Sequence, residues 1–207
     1  MQPETRKKNL QTLDELLSPD RPIPPLEALA ELPVWGGIYA AQAGSSPIPE
    51  GIEPESVAAL FGQLCAKQFD AARKTGLQLS EKQPEDFRVL VLLAALAAED
   101  TALLPHLEQA FTRSPLKTIY VIDFLSRSGI LAVSPDSVFF ERFTALIYRN
   151  REELRQKKIA RHVAARLRNM IARNGEMLSK EMRELCYILD HDTNDGPPSY
   201  LPQQFRQ

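Results

Sequence analysis

Cysteine is almost missing from this chain: Cys65 and Cys186 are the only two in 207 residues, and each sits inside a segment with helical periodicity. So sparse a set argues against a disulfide-stapled scaffold, and the N-terminus does not read as a secretory leader, so a reduced, cytoplasmic protein is expected. Long apolar runs are missing too. The longest is VLVLLAALAA at residues 89 to 98. A helix needs roughly 20 such residues to cross a bilayer, so this run reads as a buried helix. Glycine is scarce, with 9 residues, and none of them builds a Gly-rich phosphate loop or a G-x-S-x-G elbow. Alternation with period two is nearly absent, ILAVS at residues 130 to 134 being the one strand-like stretch. The expected fold is therefore all-α, an irregular bundle of about seven to nine helices with a proline-rich N-terminal arm.

Helical signals dominate what is present. PESVAALFGQLCAKQFDAARKTG spaces Val57, Leu60, Phe61, Leu64, Cys65 and Phe69 by threes and fours, a helix that Gly76 should stop. Helices are expected over residues 84–98, 101–111 and 115–127, the last with Ser114 as N-cap, Pro115 at its first position and Gly129 closing it. Ser134-Pro135 starts another, with Phe139, Phe140, Phe143, Leu146 and Ile147 as its apolar stripe. That helix either runs into the next segment or breaks near Arg149-Asn150-Arg151. Residues 1–53 read as an irregular, proline-punctuated arm with short helical patterns around residues 10–17 and 25–32, anchored on the core by Trp35 with Val34, Ile38 and Tyr39, although Trp35 also suits a partner surface. Residues 54–190 read as a helical core domain ending in a helix at 177–189, and 191–207 as a disordered tail.

Neither sign of charge prevails overall, since 25 basic and 27 acidic residues leave −2. The distribution is uneven. Arg155, Lys157, Lys158, Arg161, Arg166, Arg168 and Arg173 are seven cations with no Asp or Glu among them, so the rest of the chain carries −9. Over residues 155–173 a single basic helix is expected, with Ile159, Val163, Leu167, Met170 and Ile171 on one apolar face and the cations around the remainder. Two readings stay open. The cations are either a solvated face paired with acids elsewhere or a surface for a polyanion, with arginine predominating as phosphate contacts favour. A membrane-surface helix is disfavoured because no Trp or Phe lies on the apolar face.

Residues 99 to 140 parse as helix, a short TRSP turn, a second helix, and Gly-Ile-Leu leading toward a tight turn at Pro135-Asp136. That order resembles the recognition half of a winged helix-turn-helix, which implies DNA reading by the second helix. The resemblance departs from the pattern where it matters: cations or amides should face base edges, yet after Lys117 and Thr118 the outward positions are Tyr120, Val121, Asp123, Phe124 and Arg127. Tyr120 and Phe124, with Trp35, are accordingly expected to contact a protein partner. CYILDHD at 186 to 192 offers thiol, carboxylates and imidazole but lacks the separated ligands of a metal hydrolase, and PPSY at 197 to 200 matches a WW-domain ligand pattern. No metal, cofactor or catalytic residue is expected. The reading is a non-catalytic accessory subunit contacting nucleic-acid backbone through its basic segment, or else a protein-protein adaptor or chaperone whose basic helix meets an acidic partner.

Overall fold

A computed structural model describes residues 3–44, 56–173 and 180–190, and every regular element among them is helical. These residues form eleven α-helices and one 3-10 turn rather than seven to nine helices. Two of the expected helices break, and the short helical patterns expected in the arm around residues 10–17 and 25–32 belong to two longer helices. The chain divides into two compact units, Met1–Leu131 and Ala132–Gln207, a boundary that lies inside the 54–190 segment read as one core.

In the first unit the arm is helical. Helix α1 (Pro3–Leu17) and helix α2 (Leu26–Gly44) are joined across Pro19, Pro22, Pro24 and Pro25, so the prolines punctuate only the connection. Pro33 lies inside α2, where its missing N–H and its ring clash cost helix stability. Burial of Leu29, Leu32, Trp35, Tyr39 and Ala40 along the same helix offsets that cost. The expected proline run at residues 47–54 lies outside the described residues.

The long helix expected up to Gly76 is two: α3 (Val57–Cys65) and α4 (Phe69–Lys82). Ser56 caps α3 by accepting from the Ala59 N–H at 3.1 Å. The chain then turns at Lys67, whose φ of 57° is left-handed, with Lys67 N–H donating to the Leu64 carbonyl and Gln68 N–H to that of Gln63. This is the paired bonding of a Schellman stop. Gly76 stops nothing. It sits mid-helix because a Cβ there would stand 2.6 Å from Leu93 Cδ2 of α5 (Phe87–Leu96), which packs against α4.

Asp86 caps α5 and also takes Arg88 Nε at 3.0 Å, while Arg88 reaches Asp14 of α1 at 3.0 Å. A 3-10 turn at Thr101–Leu103 leads into α6 (Leu104–Arg113), and α7 (Pro115–Arg127) follows, closing at Gly129 with φ +67°. Helix α7 is apolar on nearly every side and is enclosed: Tyr120 is 8% and Phe124 2% exposed, and Val121 is buried too. The expectation that Tyr120 and Phe124 point outward to a partner is thereby corrected. Residues 130 to 134 form no strand, so the winged reading loses its wing as well as its recognition face.

Lys117 shows how α1 is held. Its buried ammonium donates to the Glu15 carbonyl at 2.6 Å and the Leu16 carbonyl at 3.3 Å, capping the C-terminal end of α1. Burial pushes Lys117 down to about 8, against the opposing pull of Glu15 and Asp14. Below that pH both folded and unfolded chains carry the charge. Between about 8 and the unfolded value near 10.4 only the unfolded chain holds the proton, so stability gains with rising pH across that window. Subtracting the unfolding free energy of Lys117→Met from that of wild type should give a difference that is flat below pH 8 and climbs above it. A difference that falls instead would show the charged form to be the favoured one.

The second unit contains α8 (Val138–Arg149), α9 (Arg151–Gln156), α10 (Ala160–Arg173) and α11 (Lys180–Asp190). Ser137 caps α8 through the Phe140 N–H at 3.1 Å, and Phe139 stacks on Phe143 with ring centroids 5.8 Å apart. Of the two courses the sequence left open for this helix, the break near Asn150 is the one observed. A second break was not expected: Lys158 is left-handed at φ 57°, its N–H donates to the Arg155 carbonyl, and Ile159 N–H donates to that of Leu154. The basic segment is therefore the end of α9, a turn, and α10 rather than one helix over 155–173. Val163, Leu167, Met170 and Ile171 of α10 and Leu185, Cys186, Ile188 and Leu189 of α11 are buried where these two helices pack.

Candidate partner groove and the basic segment

Two surfaces follow from this arrangement, one in each unit. In the first, α1 and α2 pack side by side and leave an open groove of about 580 Å³ lined by Thr5 and Asn9 of α1 and by Ala30, Glu31, Val34, Trp35, Ile38 and Gln42 of α2. The α2 residues recur every three or four positions over three helical turns, which keeps them on one side of that helix. Trp35 is 3% exposed and lies with its ring centroid 5.3 Å from that of Tyr39. Val34 is 67% and Ile38 46% exposed.

The sequence reading placed all four of these residues together on the core. The geometry splits them. Trp35 and Tyr39 are the anchors, whereas Val34 and Ile38 stand one turn apart on the solvent side. The signal was present in the i, i+4 spacing, but it emerges only if α2 continues through Pro33, which a sequence reading takes as a stop. The Trp35 indole N–H is buried and meets no acceptor among the described residues.

In the second unit the seven cations divide by role. Arg155 is 14% exposed by its side chain, pairs with Glu152 at 2.9 Å and donates to the Ile188 carbonyl. Arg161 Nε donates to the Asp190 carbonyl at 3.3 Å, and Arg168 pairs with the Asp190 carboxylate. Three arginines thus converge on the C-terminal end of α11, where unpaired carbonyls and the negative end of the helix dipole favour positive charge. Lys157 pairs with Glu153 at 2.5 Å. Lys158 is exposed, and Arg166 and Arg173 flank the more distant turns of α10. Arg155 and Arg168 are therefore parts of the α9–α10–α11 packing. Lys157, Lys158 and Arg161 lie around the α9–α10 turn.

The chemistry available to catalysis is thin among the described residues. Burial pushes the Cys65 thiol up to about 12 and the Cys186 thiol up to about 11, so neither supplies a thiolate near neutrality. No three His, Cys, Asp or Glu side chains among the described residues come together as metal ligands. His191 and Asp192 of the CYILDHD run and the whole PPSY stretch lie outside the described residues, as does the tail from 191 to 207. Among the described residues no helix is long and apolar enough to cross a membrane. No family model, curated protein or solved structure matches this chain.

Proposed function

We propose that the chain is a non-catalytic helical adaptor that receives an amphipathic helix of a partner protein in the groove between α1 and α2. The observation that carries this reading is the pair Val34 and Ile38, large apolar side chains left in solvent one helical turn apart beside the buried Trp35. Side chains of this size contribute about 1.5 to 3 kcal/mol each when fully buried, and their adjacency in a concave site marks an interaction surface more than chance exposure does. The rim suits a helix as occupant. Thr5, Asn9, Glu31 and Gln42 offer polar groups on both walls, and the Lys8–Glu31 bridge at 3.6 Å leaves no strong field of either sign to attract a polyanion there. Helix-in-groove recognition has this pattern, an apolar floor read by anchors at i, i+3 or i+4 and i+7.

Trp35 is the sole tryptophan, which turns the groove into its own reporter. Partners co-purified with the full chain would be identified, and the helical peptide from the leading one titrated while Trp35 emission is followed. The expected result is a saturable shift in emission that Val34→Glu with Ile38→Glu abolishes, while the melting temperature changes little because both side chains already face solvent. Binding that leaves Trp35 emission unmoved, or that survives the double change, would place the partner elsewhere. A concentration-dependent dimer that the double change dissolves would make the occupant a second copy instead.

A further inference from the structure

We propose that the turn between α9 and α10, through Lys157, Lys158 and Arg161, docks the phosphodiester backbone of a nucleic acid, independently of the groove in the first unit. Charge is the starting point. The unit Ala132–Gln207 carries 13 basic and 10 acidic residues, against 12 and 17 in Met1–Leu131, so the two units differ in sign. Within the second unit the surplus is local. From Arg151 to Arg173 eight cations face only Glu152 and Glu153, and α10 has no acid anywhere along its length. Asp190 is committed to Arg168, Glu152 to Arg155 and Glu153, through an exposed bridge, to Lys157. The eight cations still outnumber these three acids by five, and Lys158 at the exposed turn pairs with none of them.

The backbone places that charge. Lys158 is left-handed in the same kind of helix stop as Lys67, and this turn sets it between Lys157 and Arg161, which lies in the first turn of α10. The Lys158 side chain has no partner among the described residues. The start of α10 is also the positive end of its dipole, and stability alone would place Asp or Glu there; the first turn has neither. An anionic ligand would offset the positive charge gathered at this helix start.

The ligand class follows from what is exposed and what is not. An anionic membrane would need an apolar face to enter the headgroup region. The apolar face of α10 is already buried, as Val163, Leu167, Met170 and Ile171 show. A repeating phosphate diester needs only cations at intervals, and the three side chains supply them.

The test uses the full chain and a labelled DNA duplex of about 20 base pairs, followed by anisotropy, with a single-stranded RNA of equal length in parallel. Three duplex phosphate contacts give a slope of about −2.7 in log affinity against log salt, or roughly 40-fold weaker binding at 200 than at 50 mM salt. Lys157→Gln with Lys158→Gln and Arg161→Gln should abolish measurable binding at about 50 mM salt, with the melting temperature nearly unchanged. Should the triple variant lose its fold, Lys158→Glu alone should reduce binding at least tenfold, since this side chain holds nothing together in the described structure. Three results would each overturn the proposal. They are no binding of either nucleic acid at about 50 mM salt, equal binding by wild type and triple variant, and equal or tighter binding to polyglutamate or to phosphatidylserine vesicles.

Discussion

Replacing Trp35 with alanine is expected to cost about 3 to 5 kcal/mol of stability, the largest single-residue effect in the first unit. The indole is buried, tilted 48° to the Tyr39 ring, and forms one wall of the α1–α2 groove. Its removal leaves a cavity that α1 can only partly fill, because Lys117 and Arg88 tie the far end of α1 to α7 and α5. In a chain of this size the loss corresponds to roughly 6 to 20 °C in melting temperature. Urea unfolding followed by circular dichroism measures it without relying on the fluorophore that the change removes. Trp35→Phe should lose much less, since it keeps most of the apolar volume and removes an indole N–H that has no acceptor among the described residues. A loss below about 1 kcal/mol for alanine would mean that the indole is not part of the core.

The second large effect is expected at Gly36, where α2 meets α3. A Cβ there would stand 2.6 Å from Cys65 Sγ, which forces a shift, and 3.0 Å from Cys65 Cβ and 3.1 Å from Phe61 Cε1, which are tighter than nearly all packed contacts. Phe61 is fully buried and α3 is the principal neighbour of α2, so neither side yields without moving a helix. Gly36→Val should therefore fall at the upper end of the roughly 1 to 3 kcal/mol that overpacking costs. The milder Gly36→Ala gives a sharper test. Its clash is greatest with Cys65 Sγ, so Cys65→Ala in the same chain should recover part of the loss, and a double-mutant cycle should show a coupling of about 0.5 kcal/mol or more. Additive losses would mean that the Cys65 side chain is not what Gly36 accommodates.

Much of the fold was legible because its signals act within a turn or two of the chain. Ser114 and Pro115 mark the start of α7 and Gly129 its end, and all three stand where they were expected. The Phe139, Phe140 and Phe143 stripe likewise identifies α8, although its start was expected at Ser134-Pro135 and the cap is Ser137, three residues later. Caps, prolines and left-handed glycines bond to residues three to five positions away, so a single sequence contains both partners. The all-helical class follows from the same local periodicities.

What the sequence could not contain was the identity of partners far along the chain. Gly76 and a helix-stopping glycine are indistinguishable until Leu93 is known to press on it from α5. Pro33 and a helix-ending proline look alike until the buried residues on both sides hold α2 together. The basic segment is the clearest case. Its seven cations are equivalent as a list, and their division depends on Arg155 and Arg168 meeting Ile188 and Asp190 at the end of α11 while Lys158 stays in solvent. Composition and periodicity determined an all-α protein with a basic run. Which cations lock helices together and which stay exposed was decided only by tertiary structure, because a charge's role depends on what lies within a few ångströms of it in space.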